Sequence, residues 1–284
     1  MAANALFADS LTLDQGRLTV ARDYWPLLQH NGLDTFDKIL ALGSGTVMRS
    51  VPGRRTVRIE LKSETGSAST AYLKRYTPEY LTARRLFLRV MRWPGSEDEA
   101  QREWQMMHVL KAHGIGAATP IAAGQRRGWG VATHSFMMSA NISGGRPGDE
   151  HVRSLDAQGR RRFTQPLAEF ARRFHGQGFI HKDFYLSHIF VVEEREQPRL
   201  FLIDLQRALG PGRFRQRWLV KEIGSLAYSA RKAGATRADL LRFYKLYFEK
   251  ERLDQGDKRF IKKLMARVKW LFGRVPKYGE SPPN

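Results

Sequence analysis

The hydrophobic positions follow two different periods, and the change from one to the other divides the chain. In the first half, Thr46–Ser50 and Thr56–Leu61 are short runs with β-branched residues, and Pro52-Gly53 forms a turn between them. Val57, Ile59 and Leu61 alternate with Arg58 and Glu60, the period-two pattern of a half-buried strand. The polar stretch Lys62–Ser69 predicts a loop, and Thr70–Tyr76 a third strand. After Pro94-Gly95, the capping box Ser96-Glu-Asp-Glu99 predicts the start of a helix reaching about His113-Gly114. Ala100, Trp104, Met107 and Lys111 follow one face of it. Val131–Met138 reads as a further strand, ending in the polar, glycine-rich Ser139–Gly148.

Beyond that segment the period becomes helical. Thr164-Gln-Pro166 opens a helix with the stripe Leu167, Phe170, Ala171 and Phe174, closed by Gly176 and Gly178. Thr236-Arg-Ala-Asp239 opens another, rich in aromatics (Phe243, Tyr244, Tyr247, Phe248). Asp257 is the expected cap of a last helix carrying Phe260, Ile261, Leu264, Val268 and Leu271. Strands first and helices second predict an α+β fold of two lobes. The expected boundaries are an N-terminal extension or start of the β-rich lobe at 1–45, the β-rich lobe with one key helix at 46–140, a mostly helical lobe at 141–275 and a frayed tail at 276–284.

Composition narrows the function. The 284 residues carry 48 Lys and Arg against 28 Asp and Glu, a net charge of +20 that favours anionic partners: phosphorylated substrates, acidic membrane surfaces or nucleic acid. There is no cysteine, which excludes disulfides, thiol catalysis and cysteine-ligated metal. The first ten residues lack a basic start and a long apolar core, so no signal peptide is expected. No apolar run approaches the roughly 18 to 20 residues needed to cross a bilayer, and a cytoplasmic location is expected.

The sharpest chemical signal is His181-Lys-Asp-Phe-Tyr-Leu-Ser-His188, followed by apolar Ile189-Phe-Val-Val192. It has the shape of the kinase catalytic loop H-R-D-x-x-x-x-N, with Lys182 for Arg and His188 for Asn. Asp183 is then the carboxylate that meets an acceptor hydroxyl, and His188 the polar group turned back towards metal and phosphates. A second signal is Leu200-Phe-Leu-Ile-Asp204, an apolar strand ending in a single carboxylate. That fits a hairpin carrying the metal-binding aspartate, and an ionised Asp so placed needs a partner such as Mg²⁺. Third, Ala71-Tyr-Leu-Lys74 resembles the kinase V-A-I-K strand, so Lys74 is expected at the α- and β-phosphates of ATP. Its expected partner is Glu103, at the edge of the helix face that also carries Met107 and Leu110.

The phosphate loop is less sharply marked. Gly43-Ser-Gly45 lies far from Lys74 along the chain, whereas Val51-Pro-Gly53-Arg-Arg-Thr56 turns between two predicted strands. The second is preferred, with Gly53 for close backbone approach and Arg54 or Arg55 for positive charge near phosphate. Alone, each signal has an ordinary reading: an HxD triplet as a turn, Lys74 as a solvated strand lysine, Glu103 as a surface helix residue. Together they occur in kinase order and in the right structural contexts. The remaining histidines (His30, His108, His113, His134, His151, His175) show no metal-ligand spacing and are expected at the surface or at helix ends. Trp93, Trp129, Trp218 and Trp270 are expected to serve packing rather than a stacking platform.

Several segments resemble one known family. His181–His188, Ile203-Asp-Leu-Gln-Arg-Ala208, Gly53-Arg-Arg-Thr-Val-Arg58 with Tyr72–Tyr76, and Lys221-Glu-Ile-Gly-Ser-Leu-Ala-Tyr-Ser-Ala230 are similar to the lipopolysaccharide core heptose kinases, bacterial proteins with a eukaryotic-like kinase fold. The resemblance covers roughly Thr46 to Lys250, and His188 in place of Asn is a mark of this family. Lys182, Ser187 and Gln206 stand where Arg, Cys and His are usual. The resemblance implies a protein-kinase-like bilobal fold and Mg²⁺-dependent transfer from ATP to a heptose of the lipopolysaccharide inner core. It also implies work at the cytoplasmic face of the inner membrane, where an anionic leaflet attracts a basic protein. Arg84, Arg85, Arg89 and Arg92, interleaved with Phe87, Met91, Trp93 and other apolar residues, are a candidate interfacial segment, and a plain helix–loop packing element is the equal alternative. A protein or small-molecule kinase, or an inactive kinase-fold module, are the rival readings. A nucleic-acid binder would explain the charge but leave Asp183 and Asp204 unexplained, so no nucleic-acid partner is expected.

Overall fold

The computed structural model of the chain describes residues 9–77, 87, 91, 98–128, 131–212 and 216–273. These fall into two compact units, Met1–His113 with Ala118–Asn141, and Gly114–Ala117 with Ile142–Asn284.

Among the described residues the first unit contains seven strands: β1 (Ser10–Leu13), β2 (Leu18–Ala21), β3 (Thr46–Val51), β4 (Arg54–Lys62), β5 (Ala68–Tyr76), β6 (Pro120–Gly128) and β7 (Val131–Ala140). They form one antiparallel sheet in the order β1-β2-β6-β7-β5-β4-β3. Register explains the two faces. Val57 pairs with Leu73, Ile59 with Ala71, and Leu73 with Met138, so their side chains share one buried face. Two short helices, α1 (Trp25–His30) and α2 (Phe36–Ala41), cover that face with Leu28, Phe36 and Ile39. Burying each such side chain contributes about 1.5–3 kcal/mol. The approach is close: a Cβ on Gly124 would lie 2.6 Å from the Phe136 ring and 2.7 Å from the Phe36 ring.

Of residues 1–45, expected as an extension or as the start of the β-rich lobe, those from Ser10 onward supply edge strands and the cover of the core. Both helices have six residues, too few to show a helical period. The opposite face takes α3 (Glu99–Ala112). Its N-cap is Asp98 rather than Ser96; Ser96 and Glu97 lie outside the described residues. Asp98 accepts from Ala100 N at 3.0 Å and Gln101 N at 3.3 Å, and from Ser135 Oγ on β7 at 2.7 Å. That last bond joins residues far apart in sequence, which a four-residue pattern cannot contain. Lys111, expected on the buried face, is exposed, and Leu110 is buried instead. Of the candidate interfacial segment, Phe87 and Met91 are exposed, while Arg84, Arg85, Arg89, Arg92 and Trp93 lie outside the described residues, as does the tail.

The second unit holds a three-stranded antiparallel sheet of β8 (Gly145–Pro147), β9 (Ile189–Val192) and β10 (Arg199–Leu202), in the order β10-β9-β8. Around it stand α4 (Gly148–Ser154), α5 (Ala157–Gly176), α6 (Gln216–Lys232), α7 (Arg237–Phe248) and α8 (Gln255–Phe272). α5 packs on α7, and α6 on α8. α5 begins at Ala157, well before the predicted Thr164, and Pro166 lies inside it. Asp156 caps it, accepting from Gly159 N at 2.6 Å, and burial of Phe163 rewards the extra turns that the proline rule discounts. α8 is capped by Asp254, with Asp257 as the reciprocal third residue of a capping box. α6 escaped prediction because Gly224 and Ser225 interrupt its stripe with poor helix formers. His151 and His175 are both buried, at 2% and 4% exposure, although His175 does stand in the last turn of α5. An apolar cavity of about 380 Å³ lies in this unit, lined by residues including Phe163, Leu167, Leu226, Leu240, Phe243 and Leu264.

Candidate active site

In the first unit, Lys74 Nζ donates to Glu103 Oε1 at 2.6 Å. Lys74 stands on the face of β5 opposite Leu73, and Glu103 on the face of α3 that also buries Trp104, Met107 and Leu110. Glu103 is 1% exposed and Lys74 15%, so the carboxylate is fixed while the ammonium keeps some access. Such a pair holds a point charge in place for phosphate oxygens. Pro52 and Gly53 close the β3–β4 hairpin, with Gly53 at φ 72°, a conformation that favours glycine. Thr56 pairs with Lys74 across the strands, so Arg54, two residues before Thr56, shares the Lys74 face. Arg55 pairs with Arg75 and belongs to the other face. Gly45 lies outside this hairpin turn, packed against β4 at Val57 and Arg58.

In the second unit the expected loop is held from behind. Glu222, a fully buried carboxylate of α6, accepts from His181 N at 2.7 Å and Lys182 N at 3.0 Å. These bonds turn the backbone sharply, and Lys182 takes a left-handed φ of 71°. His181 is buried; burial, then the neighbouring His188 ring, holds its pKa below the usual imidazole value. Its neutral ring donates from Nε2 to the Ile203 carbonyl at 2.9 Å, tying the loop to the end of β10. Ile203 N in turn donates to the His188 carbonyl at 3.1 Å. Asp204 follows with φ 58°, a second left-handed residue.

His188 approaches both the Asp183 backbone and the Asp204 side chain. His188 Nδ1 donates to the Asp183 carbonyl at 2.8 Å, which leaves Nε2 as a lone-pair donor 3.9 Å from Asp204 Oδ2. His188 and Asp204 are 23% and 15% exposed. One imidazole nitrogen and one carboxylate fit a divalent cation that completes its shell with phosphates and water, the habit of Mg²⁺. No larger cluster of metal-ligating side chains occurs among the described residues. Asp183 itself is gripped by Arg207, whose Nη1 lies 2.8 and 3.0 Å from its two oxygens.

The lipopolysaccharide kinase (Kdo/WaaP) family model matches residues 41–247. The chain belongs to this family. Within the family it is 27% identical over 263 residues to the lipopolysaccharide core heptose(I) kinase WaaP of Pseudomonas aeruginosa, spanning 88% of this chain and 94% of that protein. It is 26% identical over 226 residues to the WaaP of Escherichia coli K12, spanning 76% and 82%. A solved structure, WaaP in complex with acyl carrier protein, superposes with a TM-score of 0.65 at 25% identity, over 90% of this chain and 97% of that one. The expected kinase fold is that of the family.

Residues that sequence spacing did not single out are Glu222 and Arg207. Glu222 did leave a signal: a lone acid beside the apolar Ile223 and Leu226 of a helix. Arg207 lay inside the quoted Ile203–Ala208 segment, but nothing in its spacing pointed to Asp183.

Proposed function

We propose that this chain transfers the γ-phosphoryl group of ATP to a heptose hydroxyl of the lipopolysaccharide inner core. The observation that carries the reading is His188 bonded to the Asp183 backbone with its free nitrogen 3.9 Å from Asp204, in a chain of this family. Asp183 orients the acceptor hydroxyl and takes its proton as the oxygen attacks in line. Asp204 and His188 Nε2 are the residues that would hold Mg²⁺, which would supply positive charge against the phosphates of ATP. Lys74, steadied by Glu103, holds the α- and β-phosphates, and the Gly53 turn with Arg54 adds backbone and charge against them. Arg55, on the other face, contributes general positive potential only. Most of the rate enhancement comes from positioning and electrostatics.

The setting is the cytoplasmic face of the inner membrane. No helix among the described residues is long and apolar enough to cross a bilayer. Helix α8 presents exposed Lys258, Arg259, Lys262, Lys263 and Lys269 beside exposed Met265, Trp270 and Phe272, a composition suited to an anionic leaflet. Each basic residue near such a surface contributes about 1 kcal/mol. The partner named for the solved relative, an acyl carrier protein, extends to this chain as well, with the apolar cavity of the second unit available to an acyl chain.

The test is transfer from radiolabelled ATP with Mg²⁺, with and without dephosphorylated lipopolysaccharide core, beside Asp183→Ala. Label should enter the glycolipid, and the variant should lose about 10³-fold in rate. Label entering the protein or a soluble sugar instead would overturn the acceptor.

A further inference from the structure

Arg207 combines a pinned backbone with an exposed arm. It closes the short 3-10 turn Leu205–Arg207 that follows Asp204, and the two residues before it, Leu205 and Gln206, are buried. On its other side, Ala208 N donates to the Leu205 carbonyl at 2.9 Å. Leu209 then pairs with Ile180 through two backbone bonds of 2.7 and 2.8 Å. The side chain of Arg207, by contrast, is 53% exposed, and it ends on the 28% exposed carboxylate of Asp183. A single nitrogen, Nη1, lies 2.8 and 3.0 Å from the two Asp183 oxygens.

A general base acts only on a proton that comes within hydrogen-bond reach of it. With Nη1 lying across both oxygens, an incoming hydroxyl must first turn the guanidinium aside. The opposition can be overcome, because an exposed ion pair shifts an equilibrium by no more than about fivefold. A sugar held by many contacts brings the binding free energy to do so, and a lone water brings none. His188 bonds to the backbone carbonyl of Asp183, so a cation held at Asp204 and His188 does not need the Asp183 carboxylate.

We propose that Arg207 is a specificity-determining residue that reserves Asp183 for a sugar hydroxyl and withholds it from water. With ATP bound and no acceptor present, the guanidinium rests on Asp183 and suppresses hydrolysis. In the suppressed step a water oxygen bonds to the γ-phosphorus and the bond from that phosphorus to the bridging oxygen of ADP breaks. Asp183 takes one proton of the water, and inorganic phosphate leaves. Acceptor binding turns Arg207 aside and opens the same carboxylate to the sugar. This role rests on the reading of Asp183 as the acceptor's base, and it adds how the site chooses between two nucleophiles.

Two assays on the full chain with ATP and Mg²⁺ test it: release of inorganic phosphate without acceptor, and steady-state transfer to dephosphorylated lipopolysaccharide core. Arg207→Met should raise phosphate release severalfold, up to about the fivefold that an exposed ion pair can hold back. It should lower the acceptor KM by a similar factor, since the acceptor no longer has to displace the guanidinium. A damaged fold cannot produce gains in both rate and apparent affinity. Adding Asp183→Asn should abolish the extra phosphate release, which shows that it passes through the carboxylate. Arg207→Lys keeps a cation beside Asp183 and should return both quantities most of the way to the unmutated values. Phosphate release that does not rise in Arg207→Met, or an acceptor KM that does not fall, overturns the proposal while transfer to the glycolipid continues. A KM that rises would place Arg207 among the groups that bind the acceptor. Failure of the heptose reading looks different. Extra phosphate release that Asp183→Asn abolishes, with no label entering the glycolipid in the unmutated protein, keeps the role of Arg207 and overturns the acceptor.

Discussion

Lys74 and Asp183 each meet an oppositely charged partner, but the two units reach that result by different means. Lys74 stands on a nine-residue strand and Glu103 on a fourteen-residue helix, so two regular elements hold their 2.6 Å pair. Asp183 stands on a loop between left-handed Lys182 and a 3-10 turn at Leu186–His188, with no regular element beneath it. Its backbone is fixed from Glu222, forty residues on, and from the end of β10. A side chain on regular structure is positioned by packing that many residues share. A side chain on a strained loop depends on one or two buried polar groups, and so should be easier to displace.

The largest expected effect follows from that dependence. Glu222→Ala leaves the N–H groups of His181 and Lys182 without their acceptor in a fully buried place, at a cost of about 4 kcal/mol. Glu222→Gln keeps one acceptor oxygen and should cost about half as much. Chemical denaturation of both variants checks the order, and equal losses would mean that the loop is held chiefly by its other contacts.

The first unit should respond differently when its pair is broken. Lys74→Met strands a carboxylate that is 1% exposed and should cost about 3 kcal/mol. Adding Glu103→Gln removes the stranded charge, so the double variant should regain most of the stability and none of the activity. Recovery of activity would show that the pair serves folding alone. No second substitution of this kind should rescue Glu222→Ala, because its partners are backbone groups.

The same contrast governs what can be read without coordinates. The pairing of Lys74 with Glu103, and the approach of His188 to the Asp183 backbone and to Asp204, were legible because strand alternation, helix periodicity and a five-residue spacing each act over short range. The β3–β4 hairpin and helix α7 were legible for the same reason. Glu222 and Arg207 were not, since each acts on the loop from 24 or more residues away. The N-terminal helices lacked length, and the caps of α3 and α5 were misplaced because burial decided their starts.

Acid should separate the units by a smaller margin. Burial depresses the pKa of His108 in the first unit, and of His151, His175 and His181 in the second. A histidine lowered in the folded state takes up its proton more readily when unfolded, so stability is complete above about pH 6.5 and declines as pH falls below it. The depressed carboxylates, Asp14, Asp34, Asp239, Asp254 and Asp257, contribute losses only as pH falls below about 3.8. Hydrogen exchange at pH 7.5 and pH 5.5 therefore isolates the histidines. Protection should fall more in α5 and the catalytic loop than in β4 to β7, and a uniform fall would contradict the assignment.

The smallest effects come from the helix caps, where stability and function should part. Thr236 forms a capping box with Asp239 at the start of α7, remote in sequence from every candidate site residue. Thr236→Ala should cost about 1 kcal/mol and leave kcat and both KM values unchanged. Asp98 has a double task, capping α3 and holding Ser135 of β7, and Glu103 follows five residues later on the same helix. Asp98→Ala should cost about 2 kcal/mol and also raise the ATP KM, because a shifted α3 moves Glu103 away from Lys74. If both variants lose stability alone, the Lys74–Glu103 pair tolerates movement of its helix. Its geometry would then be set by strand β5 and by the ion pair itself.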